Sequence, residues 1–396
     1  MDPRTNPFSP GAGVRPVALE GRDALLEDAS IAMDRILNGF HANSMMLTGL
    51  RGVGKTVLLN RLLEDAKAKG FETAKFEVPD DSGGHLARFA ARNLDNILLR
   101  LDRARAAGAM LSTARERLQA FAGLFKVSYQ GFSVKMESAE APQGADLEFE
   151  FPDLILDVAR AAAARQTAVA FFIDEVQYLS QKELSALARA CHEVSQSGVP
   201  FLLVATGLPQ IKALTGEAKS YAERLFDFRD IGALDRLAAT RALSEPARRS
   251  GAAFEGAAID AILRKTQGYA YFLQAWAKFA WDEADESPIT AQDVADADSS
   301  ILAFLDEGFF RVRFDRCAPQ EQRYLRAMAD LGPGPHRSGD IAEAMGMKVN
   351  QVAPTRRSLI SSGMIYSQRH GETAFTVPLF DQFMKRAVPD GPQKGT

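Results

Sequence analysis

The chain has 396 residues, 46% of them hydrophobic and 25% charged, with a net charge of −4; that is room for two or three domains of ordinary globular composition. No run approaches the roughly 18 consecutive apolar residues of a membrane span, and the first ten residues are polar and Pro-rich, with no apolar signal core. The acidic balance gives no whole-chain argument for nucleic acid, and two distant cysteines, Cys191 and Cys317, have no metal-ligand spacing and fit a reducing cytoplasm.

Residues 1–14 read as a flexible lead. Arg15 to Leu19 is extended, and Gly21-Arg22-Asp23 opens a helix that runs to about Gly39. Met45-Met46-Leu47 reads as a buried strand. It leads into Gly49-Leu50-Arg51-Gly52-Val53-Gly54-Lys55-Thr56, which fits the pattern G-x-x-x-x-G-K-[ST] at every fixed position. The pattern has a physical basis. Glycines let the backbone bend so that several N–H groups point at one anion, at the N-terminus of the helix that follows. Lys55 then reaches the terminal phosphates of ATP, and the Thr56 hydroxyl takes a place on Mg²⁺. Val57 to Leu63 has the pattern of that helix. A strand before and a helix after separate this loop from a chance Gly-rich turn.

Phe71 to Val78 alternates as a second strand, and Leu86 to Ala106 is a long helix whose arginines form a solvated face. Residues 107–150 read as an insertion. Within it, Lys126 to Met136 has the alternation of a small β-hairpin around Gly131, and Ser138 to Asp146 reads as a loop. Val169 to Asp174 and Phe201 to Thr206 are continuous apolar runs, as in strands buried on both faces of a parallel sheet. Arg224 to Ile231 supplies a fifth strand. Strands alternating with helices imply an α/β fold with a parallel sheet covered on both sides. The first apolar run delivers Asp174-Glu175 to the carboxyl edge of the sheet, where open α/β folds bind ligands. There Asp174 would hold Mg²⁺ through water, and Glu175 would orient and deprotonate the attacking water.

The phosphate loop, the Asp-Glu strand end and an all-helical segment from Leu234 to about Asp285 resemble the AAA+ and STAND superfamily of ATPases. Within it they are most similar to the origin-recognition ATPases of archaea and eukaryotes and to bacterial ATP-binding proteins of similar layout. The resemblance covers roughly residues 15–285. It implies a P-loop NTPase core (15–232), a helical lid and linker (233–300), and ATP and ADP as switching ligands. It also implies that Gly21 and Arg22 lie beside the adenine, that Thr206 senses the γ-phosphate, and that Gly268 to Gln274 forms the lid segment at the base. Arg224 would be an arginine finger acting on a neighbouring subunit, in a homo-oligomer formed in the ATP state. The chain departs from the pattern at Ala270, where related bacterial ATPases often have proline, and lacks an arginine at the start of the third lid helix.

Residues 301–396 read as a winged helix-turn-helix domain with a short tail. A helix from Gln322 to Leu331, a second from Ile341 to Met345 and a third from Asn350 to Ser361 precede a strand-turn-strand wing over Met364 to Val377. Pro354 suits only the first turn of a helix and places that third start close to itself. Residues 321–396 carry ten Lys/Arg and seven Asp/Glu, hence +3, against −7 elsewhere. In this fold the third helix enters the major groove of double-stranded DNA. Lys348, Thr355, Arg356, Arg357 and Ser358 are the candidates there, with Arg369 and His370 at the wing tip. Two other readings stand beside DNA binding: a STAND-type signalling or defence switch whose winged helix contacts protein, and a helper ATPase of a mobile element or plasmid.

Overall fold

The computed structural model of the protein describes all residues except 81–82, 104–107, 128–145, 220–221, 368, 370 and 389–396. The described chain divides into two compact units. One comprises residues 24–48 and 55–230, the other residues 1–23, 49–54 and 231–396.

The first unit is built on a five-stranded parallel sheet. Its strands are β1 (Ser44–Thr48), β2 (Glu72–Glu77), β3 (Val169–Asp174), β4 (Phe201–Gly207) and β5 (Phe226–Asp230), in the order β2-β3-β4-β1-β5. The three central strands are buried at every residue, which is why they read as unbroken apolar runs. The edge strands β2 and β5 keep charged residues and partial exposure. Leu47 is in register with Thr206, and Ile173 with Ala205, so β1, β3 and β4 end side by side. The fifth strand is shorter than the sequence suggests. Ala222–Leu225 forms a short helix of good helix formers, and Arg224 stands on that helix and not on the strand.

The segment expected as an insertion contributes to the core. A helix over Gly108–Leu124 buries Leu111, Leu118 and Phe121, and a second over Leu147–Ala163 buries Phe151, Leu154 and Ile155. Asp146 caps the second, accepting the Glu148 N–H at 3.0 Å, and Glu148 and Glu150 suit its positive end. The hairpin expected over Lys126 to Met136 lies largely outside the described residues.

The second unit is mostly helical. Arg236–Arg249, Gly256–Thr266 and Ala270–Glu283 pack around Phe272, Trp276 and Trp281. The start of the chain joins this core instead of lying loose. Phe8 is buried edge-on against Phe254 and Trp281, with ring centroids at 5.8 and 6.3 Å. The Asn6 amide also donates to the Lys278 carbonyl at 2.9 Å. In the C-terminal part, helices Pro319–Asp330, Ser338–Ala344 and Val349–Ser361 accompany strands β6 (His336–Arg337), β7 (Ile365–Tyr366) and β8 (Glu372–Phe375). These strands pair antiparallel in the order β6-β8-β7. Tyr324, Ile341, Val352, Leu359, Ile365 and Phe375 form the interior. Pro354 sits inside its helix, which starts five residues earlier, at Val349. The proline leaves the Asn350 carbonyl without its usual helical donor, and Asn350 is exposed, where water can satisfy it.

Candidate nucleotide site

In the sheet unit the ends of β3 and β4 and the start of the helix Lys55–Ala68 converge on one carboxylate. Asp174, 2% exposed, accepts from the Thr56 hydroxyl at 2.7 Å and from the Thr206 hydroxyl. Its Oδ1 also takes the Glu175 N–H at 3.0 Å. Three residues that lie far apart in sequence are therefore fixed to one another, because neighbouring parallel strands end in register. Lys55 opens its helix and is buried, at 6% exposed. Glu175 follows Asp174 at φ 55°, the left-handed region that non-glycine residues rarely occupy. Such backbone strain persists where surrounding contacts over-determine it, and it concentrates at functional sites.

The rest of the loop belongs to the second unit. Gly49 lies so close to Ile231 that a Cβ would fall 2.2 Å from that carbonyl oxygen. Gly52 has φ 80° and Gly54 φ 92°, so both need the freedom of glycine. The Arg51 N–H donates to the Thr376 carbonyl at 2.9 Å, and the Gly52 carbonyl accepts from the Tyr271 N–H at 3.0 Å. Val53 is buried, and Leu50 stands half-buried beside Gly49. Arg22 donates to the Gly232 carbonyl at 2.6 Å and to the Val53 carbonyl at 3.4 Å. Burial lowers its guanidinium pKa from the ordinary arginine value. Gly21, at φ 69°, approaches Ala238 so closely that a Cβ would meet that side chain at 2.7 Å. Neither Tyr271 nor Thr376 is signalled as a loop partner by the sequence, because both act through backbone atoms.

Arg224 is exposed on its short helix. In the C-terminal part Lys348, Arg357, Ser358 and Arg369 are exposed and Thr355 half-buried. Arg356 is turned the other way. Its guanidinium donates to the Thr373 hydroxyl at 2.9 Å and the Ser367 hydroxyl at 3.1 Å, tying the helix to the β7–β8 hairpin. His370 lies outside the described residues. A cavity of about 420 Å³ opens at the opposite end of the sheet, lined in part by Phe40, His41, Cys191, Ser195 and Phe201. Burial pushes the Cys191 thiol up to about 12, although the hydrogen bond it accepts from Ser44 acts the other way.

A parallel sheet ordered β2-β3-β4-β1-β5, with β1 running into this loop, defines a P-loop NTPase. Residues 18–204 match the AAA ATPase domain. Residues 307–384 match a domain of unknown function (DUF8462). No curated protein matches the chain. Among solved structures, the Walker-type ATPase PABY2304 of Pyrococcus abyssi is similar at 15% identity and a TM-score of 0.54, over 94% of this chain and 97% of that one. The Orc1 protein of Aeropyrum pernix, solved in complex with DNA, shares 15% identity over 94% of each chain, with a TM-score of 0.47. RuvB of Thermotoga maritima, a Holliday junction branch migration motor, shares 14% identity over 92% of this chain and 96% of that one, with a TM-score of 0.45. Among the described residues, no helix is long and apolar enough to cross a membrane.

Proposed function

We propose that the chain is an ATP-hydrolysing switch whose C-terminal domain binds double-stranded DNA. The observation that carries the ATPase half is the Asp174 carboxylate, held between the Thr56 hydroxyl at a helix start and the Thr206 hydroxyl at a strand end. A hydroxyl and a carboxylate 2.7 Å apart are hard oxygen donors of the kind Mg²⁺ takes alongside substrate phosphates. Among the described residues no group of three or more His, Cys, Asp or Glu gathers to hold a metal, and Mg²⁺ at such a site needs none. Thr56 and Asp174 would hold Mg²⁺ there, and it would supply positive charge against the phosphates. Lys55 pairs with the same phosphates, the N–H groups of residues 52–56 line them, and Arg22 and Gly21 would serve the base. Glu175 takes the proton of a water molecule whose oxygen bonds to the γ-phosphorus. The bond to the bridging oxygen breaks and its electron pair leaves with ADP. Thr206 registers whether the γ-phosphate is present, through the carboxylate it shares with Thr56.

We read residues 15–232 as the core, 233–300 as lid and linker, and 301–396 as a winged helix. Differential contacts in the ATP and ADP states are what allow a switch. The exposed Lys348, Arg357, Ser358 and Arg369, on a segment of net charge +3, support duplex binding. Fluorescence anisotropy with a random duplex tests it, with an ATP analogue or ADP present. Affinity should differ between the two nucleotides and fall steeply with salt. Lys348→Ala with Arg357→Ala should weaken binding and flatten the salt dependence by about one unit of slope for each phosphate no longer neutralised. Arg356 is omitted from the test because it braces the hairpin. A protein that binds ATP yet shows no duplex affinity even at low salt would have a protein-docking winged helix instead.

Arg224 supports a trans-acting role through its exposure next to the last strand of the sheet. Arg224→Ala should lower hydrolysis and leave ATP affinity unchanged. Mixing it with Lys55→Ala protein should restore activity, because each variant supplies what the other lacks. No recovery at any ratio, with oligomers present, would make Arg224 a local structural residue.

A further inference from the structure

The short turn after β3 carries a side chain that the nucleotide reading leaves unused. Gln177 lies in the turn Val176–Tyr178, 9% exposed. Its amide Nε2 donates to Glu175 Oε2, and its Oε1 accepts from the Leu208 N–H at 3.0 Å. The two partners fix the amide orientation without ambiguity. A backbone N–H can only donate and an ionised carboxylate can only accept, so a flipped amide would lose both bonds. The backbone past β4 is shaped for this contact. A Cβ on Gly207 would fall 2.9 Å from Gln177 Oε1 and 3.1 Å from Val176, so a side chain there would push the amide away.

The result is that two residues of the segment 206–208 each connect to one of the two acidic residues. Thr206 donates to Asp174 directly, and the Leu208 N–H reaches Glu175 through Gln177. Glu175 sits at a strained φ of 55°, where its own backbone does little to settle the side chain. A buried amide bonded at both ends restricts the carboxylate it holds.

We propose that Gln177 is a positioning residue for hydrolysis. It holds the Glu175 carboxylate by one oxygen and ties its placement to the end of β4, the segment that carries Thr206. The base and the γ-phosphate sensor then move as one piece. This rests on the reading of Glu175 as the base.

Two variants separate the ends of the amide. Gln177→Glu keeps an acceptor for the Leu208 N–H, and so the local fold, but presents a carboxylate to a carboxylate. Gln177→Leu removes both bonds at similar volume. Both should lower kcat by about tenfold to a hundredfold, the range for a catalytic group misplaced by about 1 Å. ATP affinity, measured by titration with a non-hydrolysable analogue, should stay near the wild-type value. On a Glu175→Gln background, Gln177→Leu should lower the residual rate no further, because the group it positions is gone. The proposal is overturned if both variants turn over at the wild-type rate while Glu175→Gln is inactive. It is also overturned if kcat rises, if the loss appears in affinity, or if the effect persists undiminished on the Glu175→Gln background. Wild-type turnover by Glu175→Gln would instead remove the reading of the base itself.

Discussion

Lys55→Ala loses ATP binding by about 30-fold or more, with the fold retained. The lysine is the first residue of its helix and is 6% exposed, so its charge is held by the fold and not by solvent. Removing one partner of a desolvated, hydrogen-bonded charge pair costs about 2–5 kcal/mol, because the other charge is left unpaired. The leucines Leu58, Leu59 and Leu62 anchor the helix independently, so the substitution should leave the far-ultraviolet circular dichroism unchanged. Isothermal titration with a non-hydrolysable analogue reads the effect. Wild-type affinity in the folded variant would mean that the phosphates lie elsewhere.

Glu175→Gln retains ATP affinity and loses turnover, by about 10²- to 10⁴-fold, the usual contribution of a positioned general base. The amide keeps the shape of the side chain but cannot take a proton. Its expected signature is a long-lived ATP complex, visible as bound triphosphate after a chase. Turnover at the wild-type rate would move the base role to Asp174 or to a residue outside this cluster.

The central strands and the loop are legible in the sequence because their signals are local. Val169–Asp174 has the same bounds in sequence and structure, since an unbroken apolar run that ends in a carboxylate fits little but a buried strand. Met45–Leu47 and Phe201–Thr206 fall one or two residues short of the observed strands, the usual ambiguity at strand ends. The helix Leu147–Ala163 is hidden by Pro152 in its second turn, which has the look of a breaker. The missing bond falls near the open first turn, where Asp146 already caps the backbone. The prolines at the start of the chain suggest a loose lead, yet Phe8 packs into the helical core and Asn6 bonds to it.

At the site, the sequence points to Thr56, Asp174 and Thr206 but not to their shared hydrogen bonds, which depend on strand order. That order, β2-β3-β4-β1-β5, is a long-range property that no window of sequence contains. Arg356 and Arg357 are neighbours of the same type, and only the position of β8 decides that the first is a brace and the second a surface charge. Gln177 is invisible in the sequence because its meaning lies in Leu208, a backbone N–H at another strand end.

The bond between the Arg51 N–H and the Thr376 carbonyl bears on how the molecule is made. Chains emerge from the ribosome N-terminus first, and domains fold as they appear. All five strands of the parallel sheet have been synthesised by Asp230, long before Thr376 exists. A nascent or truncated chain can thus hold the sheet while its phosphate loop lacks one of its backbone anchors. The loop acquires that anchor only when the C-terminal fold arrives.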